Sequence, residues 1–169
     1  MPNSVETSGS TQISGWSLIF LFDREERVLL MRRSLAKRLL PGVVNGIGGR
    51  IEPTDASLHL AAARELREET GLEADRFESV GTMLVQRSFQ REPTTLSVIH
   101  ILRCRHFSGV LADKCPEGEL FWLPADEVPG QPTTRELQLY WPFVRDPRSH
   151  FHLFTAYHDD VPAEISISP

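Results

Sequence analysis

Three glutamates lie close together in the segment "ARELREETGL", residues 63–72, and their spacing suits a bound cation better than a bare helix. In a helix, residues three and four apart are neighbours, so Glu65 faces both Glu68 and Glu69. Each like-charge pair costs roughly 0.2–0.5 kcal/mol, and the partial negative charge at a helix C-terminus adds to the cost. A hard divalent cation, which takes oxygen ligands, would turn this repulsion into attraction. The alternative is an acidic helix face that is simply solvated.

The glutamates are expected on a helix that spans residues 55–70. Its apolar side, away from the glutamates, carries Leu60, Ala63 and Leu66. Asp55 suits the N-cap or the first turn, where a carboxylate is favourable. Gly71 suits the position just after the helix, with Leu72 as its accompanying hydrophobic contact. The segment therefore predicts a helix with a defined beginning and end.

Short runs of strand-forming residues surround this helix, at 16–22, 27–31, 77–89, 95–107, 119–124 and 150–160. Residues 43–53 contain glycines and a proline, which predict a strand followed by a loop. A second helix is predicted within the segment of residues 133–144, and it is expected to end at Pro142. Several strands that look antiparallel, packed around two helices, indicate a layered α+β or α/β/α domain.

A chain of 169 residues has the length of one ordinary domain. We expect this domain to occupy residues 14–160. Residues 1–13 are polar and are expected to form a flexible N-terminal tail, and residues 161–169 a C-terminal tail.

The formal net charge of −5 does not favour binding to nucleic acids or to anionic membranes. An anionic ligand would therefore need a metal ion or local arginines. The N-terminal segment lacks an apolar signal region, and no run approaches the roughly 18 apolar residues of a membrane span. Cys104 and Cys115 have no CxxC spacing. These features predict a reduced, cytoplasmic protein without a nucleic-acid or membrane partner.

The stretch from Gly49 to Leu72 resembles the Nudix box of the Nudix hydrolases. That box consists of glycine, five residues, glutamate, seven residues, and then Arg-Glu-apolar-x-Glu-Glu-x-Gly-apolar. Residues 64–72 match every fixed position of the second half. The first half departs, because Asp55 replaces the glutamate and eight residues separate it from Arg64. The resemblance implies an α/β/α sandwich with a mixed central sheet, antiparallel strands and a Nudix helix.

The resemblance also implies a chemistry, the hydrolysis of a nucleoside diphosphate that is linked to another group. It implies Mg²⁺ as the cofactor, with Mn²⁺ as a second possibility, because such ions neutralise phosphate oxygens and activate water. The implied ligands are Glu65, Glu68 and Glu69, which are also the catalytic candidates, and the backbone carbonyl of Gly48 is a further candidate ligand.

Two further residues have roles that the resemblance implies. Arg64 would orient a glutamate of the box, and its alternative is a surface ion pair. A later loop usually supplies another acid, for which "KCPEGELFW" offers Glu117 and Glu119. We favour Glu119 as the general base, because it directly precedes an apolar and aromatic strand.

Asn45, just before Gly-x-Gly-Gly, resembles the MutT-type branch of the family. That branch hydrolyses oxidised purine nucleoside triphosphates such as 8-oxo-dGTP to a monophosphate and pyrophosphate. An amide both donates and accepts, so Asn45 is the candidate base contact. Glu136 and Trp141 are further candidates for the base pocket, although core packing is an equally good explanation of the tryptophan. Arg32 could bind the triphosphate, as could two other basic residues of its loop, Arg33 and Lys37.

Two alternatives remain open at this stage. One keeps the box but acts on ADP-ribose, a dinucleotide or a nucleotide sugar; many such enzymes carry extra N-terminal strands, for which this chain has little room. The other is a Nudix module that binds a nucleotide without hydrolysis, although such modules usually lose box glutamates that are present here. The expected partner is a small nucleotide, and the expected assembly is a monomer or a homodimer.

Overall fold

The fold is built on a curled β sheet, seen in a computed structural model that describes residues 11–90 and 92–169. Its strands in chain order are β1 (Gln12–Phe22), β2 (Arg27–Arg33), β3 (Val44–Asn45), β4 (Leu72–Glu73), β5 (Glu78–Phe89), β6 (Glu92–Cys104), β7 (Ser108–Gly109), β8 (Gly118–Pro124), β9 (Phe151–His158) and β10 (Val161–Ser168). The helices are α1 (Leu58–Thr70) and α2 (Arg135–Arg145), and a 3₁₀ helix spans Ala125–Gly130.

The main sheet mixes parallel and antiparallel pairs. Its strand order is β10-β9-β5-β6-β1-β2-β3, and β8 also pairs with β2. The β1–β6 and β5–β9 pairs are parallel, whereas the other pairs are antiparallel. Strands β4 and β7 form a separate small sheet. Strand β1 lies inside the sheet, between β6 and β2, and its side chains alternate between the two faces.

Alternating residues of β1 pack against different helices. Ile19 and Leu21 lie in one core cluster, which includes Leu66 of α1. Phe20 and Phe22 lie in another, which includes Trp141 of α2. Because successive side chains of a strand point to opposite faces, the sheet separates the two helices. The predicted α/β/α layering and mixed sheet are therefore found.

Helix α1 begins later than the sequence predicted. Its N-cap is Ser57, whose Oγ accepts a hydrogen bond from the Leu60 amide at 3.2 Å. Asp55 lies before the cap because its carboxylate binds an arginine side chain instead. Leu60, expected on the apolar side, is 57% exposed. Six residues of helix place it roughly 120° around the axis from the buried Leu66, whereas Ala62 and Thr70 lie four residues from Leu66 on its own side and are buried. The helix ends as expected, with Gly71 in the left-handed region at φ 74°.

The C-terminal segment forms a strand, although it was expected to be a tail. Residues 161–168 form β10, which pairs with β9 through a turn that holds Asp159 and Asp160 at positive φ. The start of the domain also differs, since Gln12 and Ile13 already belong to β1. The rest of the expected N-terminal tail, residues 1–10, lies outside the described residues.

Helix α2 continues past Pro142, where the sequence predicted its end. Val144 is fully buried, and its carbonyl accepts a 2.9 Å hydrogen bond from the Arg103 guanidinium. These contacts hold the last turn although proline supplies no amide hydrogen. Neither α1 nor α2, nor any other helix in the described ranges, is long and apolar enough to cross a bilayer.

Candidate active site

A glycine turn after β3 brings the chain against helix α1. The Gly48 amide donates a 3.0 Å hydrogen bond to Oε2 of Glu69. Gly48 has φ +149°, and a Cβ there would overlap the Ser17 carbonyl oxygen, so only glycine fits. A Cβ on Gly49 would lie 2.5 Å from the carboxylate carbon of Glu65. The two glycines thus let two of the predicted glutamates pack directly against the backbone of the turn.

Arg64 binds several groups around these glutamates. Its Nε and Nη2 donate to the two carboxylate oxygens of Asp55 at 3.1 and 2.9 Å. Its Nη1 donates to Glu65 at 2.8 Å and lies 3.2 Å from Glu68. Nη2 also donates to the Arg50 carbonyl at 3.0 Å. Asp55 therefore anchors Arg64 although it is shorter than the family glutamate and one residue further away in the chain.

Burial raises the pKa of two glutamates in the site. For Glu69, burial raises the pKa to about 7; the Gly48 amide opposes this rise, and the nearby charge of Glu65 adds to it. For Glu65, burial again raises the pKa, while its hydrogen bond with Arg64 opposes the rise. Two carboxylates that are desolvated and close to one another favour either protons or a cation.

The three carboxylates of Glu65, Glu68 and Glu69 are suitable ligands for a hard divalent cation, but they do not yet have the spacing of a metal centre. Carboxylate oxygens are suitable ligands for Mg²⁺, which keeps several of its waters and needs few protein ligands. Glu68 lies at the outer edge, with its side chain 54% exposed and one oxygen near Arg64. Across residues 11–90 and 92–169, no three His, Cys, Asp or Glu side chains already have the spacing of a metal centre. Glu68 would have to leave Arg64 to join Glu65 and Glu69 on an ion.

An open cavity of about 370 Å³ lies above these groups. We call it the acidic cavity, and its lining comprises Trp16, Arg33, Gly48, Gly49, Arg50, Glu65, Glu68, Glu69, Cys115, Pro116 and Glu117. The structure thus brings together the three box glutamates, Gly48 and one acid of the later loop.

The later loop places Glu117, and not Glu119, at the acidic cavity. Glu117 receives a 2.5 Å hydrogen bond from the Lys37 ammonium group and lies 3.9 Å from Arg33. Glu119 is on β8, opposite Arg32 of β2. Both Glu119 and Arg32 border a separate depression rather than the acidic cavity. Glu119 was preferred over Glu117 because it directly precedes the apolar part of a strand. In the structure, Glu119 pairs with Arg32 within β8 and β2, and it therefore lies outside the acidic cavity.

A second cavity, of about 250 Å³, opens beside the first. We call it the inner cavity, and its lining comprises Trp16, Ser17, Leu18, Arg33, Leu39, Leu40, Asn45, Gly48, Met83, Val85, Arg87, Ser97, Ile99, Thr134, Glu136, Tyr140 and Tyr157. Trp16, Arg33 and Gly48 line both cavities. The two spaces therefore adjoin at these three residues.

The inner cavity is lined by both apolar and polar side chains, and three of the polar ones could contact a ligand directly. Asn45 lies at the wall, with its Oδ1 accepting from the Gly46 amide at 2.9 Å. Glu136 is only 5% exposed, and its Oε1 accepts from Thr155 and Tyr157. Ser17 is 3% exposed, and its Oγ has no hydrogen-bond partner among the residues that the structure describes. A concave space that combines apolar walls with polar groups able to orient a ligand is typical of a small-molecule site.

Two predicted substrate contacts are not at this cavity. Trp141 is 2% exposed, donates its indole N–H to the Ala125 carbonyl at 2.9 Å, and packs against Phe20 and Phe22. It is a core residue, because it lies on the face of α2 that packs against the sheet. Arg32 lies over the Phe121 ring at 5.5 Å and borders the depression beside Glu119. Its neighbour Arg33 has the position that was expected for Arg32.

The sequence analysis missed Trp16 and Ser17. Both are on β1, which carries no motif, and they reach the site because β1 runs beside the glycine turn. The Ser17 amide donates to the Gly49 carbonyl at 2.9 Å, and Trp16 forms a β-bridge with Arg50. A polar Ser17 directly before the apolar run "LIFLF" was the one available signal.

Comparisons with known proteins identify the family of this chain. A family model, the NUDIX domain, matches residues 13–161. The chain is similar to an oxidized purine nucleoside triphosphate hydrolase of Danio rerio, with 29% identity over 123 residues, 73% of this chain and 76% of the relative. It is also similar to the NAD-capped RNA hydrolase NudC of Pseudomonas aeruginosa, with 30% identity over 122 residues, 72% of this chain. The match covers 40% of that relative, so the chain spans less than half of its length.

Solved structures share the fold. A MutT protein from Bacillus halodurans superposes with a TM-score of 0.80 at 20% identity, over 92% of this chain and 98% of that one. The NUDIX domain of Shewanella oneidensis NrtR, complexed with ADP ribose, has a TM-score of 0.59 at 17% identity, over 85% of this chain and 92% of that one. These matches confirm the predicted α+β fold and the predicted resemblance to the Nudix family. The chain belongs to the NUDIX domain family.

Proposed function

We propose that this protein is a magnesium-dependent hydrolase of nucleoside triphosphates that releases a nucleoside monophosphate and pyrophosphate. The proposed substrate class is an oxidised purine nucleotide such as 8-oxo-dGTP. The Danio rerio relative bears the name of an oxidized purine nucleoside triphosphate hydrolase, and at 29% identity that name supports this substrate class as a proposal.

The observation that carries the proposal is the junction of the two cavities. Trp16, Arg33 and Gly48 border both of them. A nucleotide with its base in the inner cavity would therefore extend its phosphates past these residues into the acidic cavity. Base recognition and phosphate chemistry would then be performed at opposite ends of one ligand.

The acidic end would hold the metal. Glu65, Glu68 and Glu69 would supply carboxylate oxygens, and the Gly48 carbonyl is a further candidate ligand. A bound divalent ion would neutralise phosphate oxygens and increase the acidity of a water molecule. Arg64 would hold Glu65 in place through its own anchor on Asp55.

Other residues of the chain would bind the phosphates and move a proton. Arg33 and Lys37 flank Glu117, and they would exchange this partner for phosphate oxygens when a nucleotide binds. Glu117, rather than Glu119, would accept a proton in the acidic cavity, since it lies within the cavity lining. At the other end, Asn45, Glu136 and the free hydroxyl of Ser17 would contact the base.

A nucleotide panel tests this proposal. Pyrophosphate release should be measured with 8-oxo-dGTP and the normal triphosphates, with and without Mg²⁺, and monophosphate should be identified among the products. We expect magnesium-dependent turnover with a higher kcat/KM for the oxidised purine. Equal kcat/KM values for 8-oxo-dGTP and dGTP would overturn the substrate class, although the hydrolase assignment would stand.

A second candidate substrate class consists of ADP-ribose and dinucleotides. Two similarities favour it: one relative is named as an NAD-capped RNA hydrolase, and one structural neighbour is complexed with ADP ribose. Adding ADP-ribose and a dinucleoside polyphosphate to the panel, with phosphatase coupling, detects these products. Preferential turnover of either compound would keep the roles of the glutamates and replace the role of the inner cavity.

A further inference from the structure

Strand β9 presents two hydroxyl groups to a single oxygen of Glu136. The Thr155 hydroxyl shares its hydrogen between Oε1, at 3.1 Å, and the Glu164 carbonyl oxygen of β10, at 3.3 Å. The Tyr157 hydroxyl donates to the same Oε1. The two residues are two apart on a strand, so their side chains emerge on the same face. Thr155 is buried, as is Glu136 itself. One carboxylate oxygen is thus held by two fixed donors at the wall of the inner cavity.

We propose that Thr155 and Tyr157 are positioning residues that fix Glu136 so that its second oxygen accepts an N–H group of a nucleobase. This inference rests on the proposed function, because it assumes that the base occupies the inner cavity. It assigns a role in substrate selection to the C-terminal β9–β10 hairpin.

The arrangement continues outward from Tyr157. The Arg87 guanidinium lies over the Tyr157 ring, 4.4 Å from its centroid, and pairs with Asp160 at 3.0 Å. Asp160 belongs to the turn between β9 and β10. A cation held over the ring restricts the ring's orientation, and so it aims the hydroxyl at Glu136. Burial, and then the hydrogen bond to Glu136, raise the pKa of Tyr157, so this hydroxyl keeps its proton and acts as a donor.

The chemistry of a carboxylate acceptor then indicates which bases it selects. An ionised carboxylate accepts hydrogen bonds and cannot donate. An 8-oxo-purine carries an N–H at position 7, where the unmodified purine carries a lone pair. The fixed oxygen would gain a hydrogen bond from the oxidised base and would leave two acceptors facing each other with the unmodified one. An unmatched buried acceptor costs more than a matched one gains, so a well-positioned oxygen discriminates strongly.

A double-mutant cycle on equilibrium binding tests the inference without requiring turnover. Dissociation constants for 8-oxo-dGMP and dGMP should be measured by calorimetry for wild type, Tyr157→Phe, Glu136→Gln and the double variant. We expect Tyr157→Phe to reduce the affinity ratio of the two nucleotides by about three- to tenfold. In the Glu136→Gln background, removing the Tyr157 hydroxyl should cause no further reduction, because the group that it positions is already changed.

Three further variants separate positioning from general stability. Thr155→Val should reduce the ratio, whereas Thr155→Ser keeps a hydroxyl and should restore it. Ser88→Ala is the matched control, since its hydroxyl lies on the neighbouring strand β5 and contacts the Tyr157 carbonyl and His158 instead of Glu136. It should leave the ratio unchanged. The Thr155 pair also gives an answer if Tyr157→Phe does not fold.

The outcomes distinguish this inference from the proposed function. A ratio near one in the wild type, or equal losses from Tyr157→Phe with and without Glu136→Gln, would overturn the inference even if the enzyme hydrolyses nucleotides. A reduced ratio that depends on Glu136 would support it even if 8-oxo-dGTP were not hydrolysed, which would count against the proposed function alone.

Discussion

The Gly48 amide donates a 3.0 Å hydrogen bond to Oε2 of Glu69, and this bond joins the loop after β3 to helix α1. It is one of the few compensations that the partly buried Glu69 carboxylate receives, and desolvation still raises the pKa of Glu69 to about 7. The bond therefore fixes the position of a carboxylate that the fold keeps partly desolvated. Several measurable consequences depend on this contact and on its neighbours.

The pH dependence of stability should reveal the burial of Glu69. Its pKa is higher in the folded chain than the ordinary value of 4.5, so the folded state binds the proton more tightly than the unfolded state does. Stability is then lost as the pH rises from about 4.5 through about 7. Without divalent metal, we expect wild type to lose about 1–3 kcal/mol relative to Glu69→Gln between about pH 5 and pH 8.

Urea unfolding in the presence of a chelator measures this difference at each pH. Other groups that titrate in the same range are present in both proteins, so their contributions largely cancel in the comparison. A wild-type-minus-variant difference that does not change with pH would contradict the account of Glu69.

Gly49→Ala should impair the site while leaving the fold intact. The added Cβ would lie 2.5 Å from the Glu65 carboxylate, which is the movable end of a long side chain. The carboxylate would therefore shift, and we expect kcat to fall by about 10- to 100-fold with little change in melting temperature. Gly130→Ala is the matched control, since a Cβ there meets nothing within 4 Å. Equal activity of the two variants would show that the position of Glu65 does not matter.

Asp55→Asn tests whether the departure from the Nudix box is functional. The carboxylate of Asp55 binds both Nε and Nη2 of Arg64 and accepts from the Glu52 amide at 2.8 Å. The hydrogen bonds from Arg64 come first among the causes that lower the pKa of Asp55, so it is charged at neutral pH. The neutral amide would free Arg64 to turn away from Glu65. We expect kcat/KM to fall by about tenfold, whereas the exposed Asp126→Asn should match wild type in the same steady-state assay.

A matched pair of variants decides between the two acids of the late loop. Glu117 lines the acidic cavity and Glu119 does not. We expect Glu117→Gln to lower kcat by about 10²-fold or more, because it removes the proposed proton acceptor, and Glu119→Gln to stay within about twofold of wild type. The reverse order of effects would restore the sequence-based assignment of Glu119.

The local parts of the site could be predicted from the sequence. Glu65, Glu68 and Glu69 share a helix whose spacing is fixed by its geometry, and Gly71 ends that helix in the left-handed conformation as expected. Such contacts link residues a few positions apart, so a short motif contains the necessary information. Even here the start of the helix moved, because Asp55 binds Arg64 and leaves the cap to Ser57.

The non-local parts could not be predicted in this way. Trp16 and Ser17 reach the cavities through the pairing of β1 with the glycine turn, and no local pattern reports that pairing. Trp141 was a candidate base contact because the sequence shows an aromatic residue on a predicted helix. The sequence does not show whether that residue faces the sheet or the cavity. Strand β10 was missed because "VPAEISIS" is half polar and contains a proline, and its pairing with β9, which makes it a strand, is not visible in the sequence.

The most direct test of the whole account is hydrolysis of 8-oxo-dGTP by wild type and by Glu68→Gln, each with and without Mg²⁺. Glu68 is exposed at the edge of the acidic cavity, so its substitution should leave folding nearly unchanged. The account requires wild type to release monophosphate and pyrophosphate only with Mg²⁺, and Glu68→Gln to lose nearly all turnover. If both proteins bind the nucleotide equally and neither hydrolyses it, the chain is a nucleotide-binding module and the catalytic account is wrong.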